Sequence, residues 1–225
     1  MQYGIIGAMD EEVALLLSKA QVREEKLAGL TFHVGSLNGK NVVIVKSGIG
    51  KVSAALAATL LCTHYHCDAV IHTGAAGGLA TALAIGDEII ATEVAYHDVD
   101  ATGFGYAKGQ VPGKSLTFKC DARLVSKALA ALNGHKVKSG LVLTGDQFIS
   151  SAQKVSELRE LFPAAVAVEM EGAATGQVCT DCNVPFLVIR AVSDGADDGA
   201  LSSNLNFERY AGDRSASLVC ALLED

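Results

Sequence analysis

One unit recurs along this chain and limits what it can fold into. A short apolar run of strand type ends at a glycine or a carboxylate, and a helical stretch follows. Gln2 to Ala8, Asp68 to Thr73, Ser139 to Thr144, Ala164 to Val168 and 185 to 192 are such runs. Continuous apolar runs of about 4–8 residues mark strands covered on both faces, and their alternation with helices marks an α/β fold. The 23 Gly, 3 Pro and absent Trp suit tight junctions around a small-aliphatic core better than long linkers. No composition break divides the chain. The expectation is one α/β domain over residues 1–225, a three-layer sandwich whose central mixed, mostly parallel β-sheet is flanked by helices.

Between the runs, Met9-Asp10-Glu11-Glu12 opens a helix to about Lys19, and acidic residues suit a first helical turn. Thr31 to Ser36 and Lys40 to Lys46 pair across Leu37-Asn38-Gly39, a hairpin signal. Helices are expected from Lys51 to Cys62, Ala122 to Leu132, Ala152 to Leu161, up to Asn183 and from Phe207 to Leu223, with a further strand from Asp87 to Tyr96. Tyr96 to Lys119 lacks periodicity and is rich in aromatics and Gly, and a loop of that length inside a compact domain is usually functional.

The net charge of −7, with Lys and Arg scattered, argues against nucleic acid as a partner. The first residues lack the basic and apolar regions of a signal peptide, and no stretch reaches a membrane span. Six Cys without a disulfide-scaffold spacing fit reduced thiols and a cytoplasmic location.

Polar clusters then carry the chemistry. Val168-Glu169-Met170-Glu171 and Arg190-Ala191-Val192-Ser193-Asp194 lie where buried runs end, the side of an α/β sheet where ligands bind. Ionised groups in apolar surroundings need partners or a function, so Glu169, Glu171 and Asp194 are read as functional, with Arg190 able to neutralise one of them. Ser47-Gly48-Ile49-Gly50-Lys51 fails as a P-loop because Val52 and Val45 occupy two required positions; it reads as a tight turn into a helix. Gly74-Ala75-Ala76-Gly77-Gly78 reads as a turn closing a strand, and whether it presents N–H groups to a ligand stays open. Cys62-Thr63-His64-Tyr65-His66-Cys67 has no second cluster to complete a metal site, so no metal is expected. Cys179 and Cys182 read as packed thiols at a helix C-terminus. Phe148, in the loop after Thr144, offers a flat face to a planar ring.

Taken in order, Gly4 to Glu12, Ser47 to Lys51, Thr73 to Gly78, Tyr96 to Pro112, Thr144 to Ile149, Val168 to Glu171 and Arg190 to Asp194 resemble the bacterial 5′-methylthioadenosine/S-adenosylhomocysteine nucleosidases of the purine nucleoside phosphorylase superfamily. The resemblance implies a nucleoside phosphorylase-like fold and hydrolysis of an N-glycosidic bond, releasing adenine and a 5-substituted ribose without any cofactor. It implies a place in methionine salvage and in recycling adenosylmethionine by-products. By position, Asp194 becomes the general acid at adenine N7, helped by Ser193 and needing a raised pKa. Glu12 becomes the base for water, which Arg190 orients; Glu171 holds the ribose hydroxyls, with Met170 packed on the sugar. Phe148 stacks on adenine, the Ile149 backbone reads its edge, and Ala75 and Gly77 complete the wall. Met9, Ile49 and Phe207 line the 5′ pocket. Ala101, Phe104, Tyr106 and Pro112 reach in from a second subunit, so a homodimer is implied.

Three positions depart from the family pattern: Ala75 for Ser, Ala101 for Val, and a longer segment from Asp197 to Asn206. Rival readings are a phosphate-dependent phosphorylase, a binding protein that keeps the fold without chemistry, and an aminofutalosine-type nucleosidase. A phosphorylase needs cations around phosphate, yet Val70-Ile71-His72-Thr73 and the 47–51 turn carry no Arg.

Overall fold

The computed structural model describes residues 1–132, 136–195 and 205–224. The segment 197–204 singled out above therefore lies outside the described residues, as do the side chains of 205 and 206.

The first half of the chain builds an open sheet. Strand β1 (Gln2–Gly7) pairs in parallel with β4 (Lys40–Lys46) and β5 (Ala69–Gly78), with helix α1 (Asp10–Lys19) after β1 and α2 (Lys51–Thr63) after β4. Two hairpin strands, β2 (Gln21–Leu27) and β3 (Leu30–Leu37), extend the edge beyond β4. The charges of β2, Gln-Val-Arg-Glu-Glu-Lys-Leu, suit an exposed edge.

The second half adds β6 (Glu88–Tyr96), β7 (Phe118–Lys119), α3 (Ala122–Ala130), β8 (Val137–Thr144), α4 (Ala152–Leu161), β9 (Ala165–Glu169), α5 (Gly172–Asp181), β10 (Phe186–Asp194) and α6 (Leu205–Leu222). Here the sheet curls back on itself. β5 pairs with β10, β10 with β6, β6 with β8, β8 with β9, and β9 with β5 again. Pairing is parallel inside two blocks, β4-β1-β5-β10 and β6-β8-β9, and antiparallel where the blocks meet. The mixed, partly parallel sheet is as the sequence suggests; the five-strand ring is a feature that periodicity does not encode.

Every residue of β9 and β10 is buried, which is why 165–168 and 186–189 read as unbroken apolar runs. Helix α6 packs on α1, β5 and β10, and α2 packs on α5. The core joins Ile5, Ile6, Leu16, Phe32, Ile44, Leu61, Ile71, Ile89 and Ile189, with all six cysteines free. Cys62 is buried in that core, and among the described residues no group of three His, Cys, Asp or Glu is placed to hold a metal ion.

Two expected boundaries move. The segment Gly74 to Gly78 is the end of β5 rather than a turn, because its residues keep pairing with β10 and β9. Ser193 and Asp194 likewise belong to β10 instead of following it.

Candidate active site

Thr144, Glu169 and Asp194 are the last residues of β8, β9 and β10, so the ring brings them to one rim. Beside it opens a cleft, partly open to solvent, lined by apolar and carboxylate side chains. Of the residues expected from sequence, Met9, Glu12, Ile49, Ala75, Gly77, Phe148, Ile149, Met170, Glu171, Ser193 and Asp194 line it.

Glu12 sits in the first turn of α1 but turns inward. Its Oε2 accepts from the N–H groups of Ala8 at 2.6 Å and Met9 at 3.1 Å, and its Oε1 accepts from the Ala75 N–H at 2.9 Å. Reaching back to Met9, it forms one half of a capping box. Its neighbour Asp10 faces outward to Lys46 at 2.8 Å. Burial pushes the Glu12 pKa up, against the pull of Arg190 and the three amides. The 74–78 run thus does present an N–H group, but to Glu12. A side chain at Gly74 would collide with both Glu12 Oε1 and Arg190 Nη1, so only glycine lets these two groups meet.

Behind the cleft lies Arg190, fully buried on β10 and absent from the lining. It is ion-paired to Glu169, lies 3.4 Å from Glu171 Oε2 and 3.9 Å from Glu12 Oε1. Glu169 also takes the Thr144 hydroxyl and the N–H groups of Glu171 at 3.0 Å and Gly172 at 2.8 Å. It caps the start of α5 and anchors the guanidinium, so its carboxylate is engaged by the protein itself. Glu171 Oε1 accepts from the Gly50 N–H at 2.8 Å, across the cleft wall. Burial, reinforced by the adjacent Glu169 charge, pushes the Glu171 pKa up to about 7.

On the facing wall the Ser193 hydroxyl donates to Asp194 Oδ2 at 2.7 Å, and both residues are buried. Phe148 is half exposed at the mouth, with Ile149 buried behind it. Arranged this way, the cleft has the amide-bonded carboxylate of Glu12 on one side, the Ser193-bonded carboxylate of Asp194 on the other, and the aromatic face of Phe148 at its mouth.

Phe207 lies outside this lining, as do Ala101, Phe104, Tyr106 and Pro112, the four residues expected at the cleft of a second subunit. Phe207 is exposed in the first turns of α6, one residue before Glu208, which does line the cleft. Phe104 and Pro112 are exposed, Phe104 at 86 %, while Tyr106 is half-buried and Ala101 is buried. Gln147 and Glu208 also line the cleft, although neither is among the residues expected there. Gln147 shares its loop with Phe148 and could have been named; Glu208 gives no signal, being one more acid in a helical turn.

The sequence matches the phosphorylase superfamily over residues 2–224. The fold is similar to a 5′-methylthioadenosine/S-adenosylhomocysteine nucleosidase from Neisseria meningitidis, solved with methylthio-immucillin-A. The two share 42 % identity over 99 % of this chain and 98 % of that one, with a TM-score of 0.97. The nucleosidase of S. pneumoniae with the transition-state inhibitor MT-ImmA gives 42 % identity, 100 % and 99 % coverage and a TM-score of 0.96. A futalosine hydrolase of Helicobacter pylori gives 32 % identity, 100 % and 97 % coverage and a TM-score of 0.95.

Proposed function

This chain belongs to the phosphorylase superfamily, among its 5′-methylthioadenosine/S-adenosylhomocysteine nucleosidases, and we propose a division of labour for its cleft. The enzyme hydrolyses the N-glycosidic bond of 5′-methylthioadenosine and S-adenosylhomocysteine. Asp194, oriented by Ser193, donates a proton to N7 of adenine as the bond from C1′ to the base breaks. Positive charge then develops on the sugar. Glu12 takes a proton from a water on the opposite face, whose oxygen bonds to C1′. The raised pKa of Glu12 matches this task, because a base works best near the operating pH. Glu171 accepts from the ribose hydroxyls and Phe148 stacks on adenine. The products are adenine and a 5-thio-substituted ribose.

One observation carries water, rather than phosphate, as the nucleophile. Among the described residues the cleft lining holds Glu12, Glu169, Glu171, Asp194 and Glu208 and no Lys, Arg or His. A phosphate dianion would meet five carboxylates with no cation to receive it. Arg190 does not serve, since it is held by Glu169 and Glu171 behind the wall.

The cytoplasm, methionine salvage and a homodimer complete the reading. The dimer is supported by Phe104, Ile49, Val52 and Leu56, which are all exposed apolar side chains. No helix among the described residues is long and apolar enough to cross a membrane.

The test is adenine release from methylthioadenosine in phosphate-free buffer, where full activity is expected. Activity that appears only on adding phosphate would establish the phosphorylase instead. Running adenosylhomocysteine, 5′-deoxyadenosine and aminofutalosine alongside ranks the 5′ substituents. Asp194→Asn should abolish turnover almost completely and leave the far-ultraviolet dichroism unchanged; retained activity would remove it from the acid role.

A further inference from the structure

A second charged cluster lies beside the cleft, and the chemistry proposed above makes no use of it. Lys51, the first residue of α2, places its Nζ 2.6 Å from Asp98 Oδ2 and 3.6 Å from Asp146 Oδ2. Its own backbone N–H donates to Asp146 Oδ1 at 2.8 Å, and the Asp146 N–H donates to Asp98 Oδ2 at 2.9 Å. The ammonium also lies 5.5 Å from the centre of the Tyr96 ring. Three segments distant in sequence are thereby fastened together: the turn before α2, the segment following β6, and the loop that carries Phe148.

The fastening connects to the cleft through consecutive amides. The Gly50 N–H goes to Glu171, while the Lys51 N–H goes to Asp146 two residues before Phe148. Gly50 has φ +95°, and a Cβ there would sit 3.0 Å from Asp146 Oδ1, so glycine is what allows the turn to come this close. The side chain of Asp146 is half exposed, and without the lysine it would face Asp98 as a like charge. Burial raises the Asp98 pKa, but Lys51 and the Asp146 amide outweigh it and hold that carboxyl below its usual range.

We propose that Lys51, Asp98 and Asp146 form a positioning clamp that fixes the adenine-stacking loop 145–149 relative to the sugar-binding carboxylate of Glu171. The clamp touches no reacting atom. It holds the two ends of one nucleoside's binding surface at a set separation, so its loss lowers affinity before it lowers the chemical step. This inference rests on the nucleoside reading of the cleft for its kinetic consequence, though not for its structural one.

In Lys51→Met the KM for methylthioadenosine and the inhibition constant of adenine should both rise about tenfold, while kcat falls less than threefold. Asp98→Asn in the Lys51→Met background should recover part of the loss by removing the repulsion, and Lys51→Arg should recover it in part by restoring charge. Asp146→Ala, at a half-exposed position, gives the same KM shift should Lys51→Met fold poorly. Amide hydrogen exchange over 145–150 is the readout independent of any ligand, and it should accelerate in Lys51→Met. Unchanged exchange together with kinetics within twofold of the parent would overturn the clamp. A parent enzyme that cleaves no nucleoside, with exchange still accelerated in the variant, would instead fault the assigned reaction.

Discussion

Two clusters in this molecule each set a single cation among carboxylates, and their chemistry diverges. Arg190 lies among Glu169, Glu171 and Glu12 with none of its side chain exposed. Lys51 lies between Asp98 and Asp146 with 24 % of its side chain exposed. In the first cluster burial dominates, and the pKa values of Glu12 and Glu171 move up despite the guanidinium. In the second the ammonium and a backbone amide dominate, and Asp98 moves down. Glu12 and Glu171, shut away from water beside one fixed charge, become groups able to hold and release protons, while Glu169 anchors that charge. Two acids around one ammonium within reach of water act as a brace. The cations differ accordingly: a planar guanidinium can serve several carboxylates at once, while an ammonium at a surface is a mobile point charge.

Arg190→Met should produce the largest difference between the clusters. It strands buried carboxylates and should cost about 3–5 kcal/mol in denaturant unfolding. Lys51→Met should cost less than about 1 kcal/mol, because solvent screens its pairs. Equal losses would break the comparison. Glu12→Gln comes next: kcat should fall by about 10²–10⁴-fold with the unfolding midpoint retained, read by adenine release under saturating substrate.

A pH series sharpens the contrast further. Glu171 has its pKa near 7 in the folded protein against an ordinary 4.5, so folding favours its protonated form. The stability this contributes is complete below about pH 4.5 and is lost as pH rises through about 7. Thermal midpoints should therefore fall between pH 5 and 8, and Glu171→Gln should flatten the slope. Asp98, whose pKa is depressed, contributes stability above its ordinary pKa and loses it only in acid, so Asp98→Asn should leave the pH 5–8 slope intact. Catalysis should run opposite to stability, kcat/KM climbing with pH as Glu12, whose pKa burial raises, ionises. The smallest effect expected is of salt: raising ionic strength should increase KM slightly through the exposed Lys51 cluster and leave the Arg190 cluster untouched.

These clusters also mark how far the primary structure can be read. β9 and β10 are legible because strands buried on both faces are mostly apolar, which makes the acids at their ends conspicuous. β2 is hidden because an edge strand needs charge more than hydrophobicity, and its alternating exposure leaves no apolar run. Glu12 looks like an ordinary acid in a first helical turn; only the return of β5 beside β1, bringing the Ala75 amide to it, distinguishes it from Asp10. Glu169 is a different case. Its burial reads as a sign of chemistry, yet its oxygens are taken by Thr144, Arg190 and the first amides of α5. Thr144 and Arg190 come from two other strands, and spacing along one segment cannot reveal them.

The ring of strands has a consequence for how the protein is made. β10 is the last strand among the described residues, and it takes its place between β5 and β6. Until residues 186–194 have left the ribosome, those two strands present unpaired edges, a hazard for pairing with other chains. Native pairing between residues as distant as Ile89 and Arg190 must also await nearly complete synthesis, which favours slow, late closure. Any chain cut short before β10 leaves the ring open and lacks both Arg190 and Asp194, so a truncated product is at once unable to catalyse and prone to aggregate.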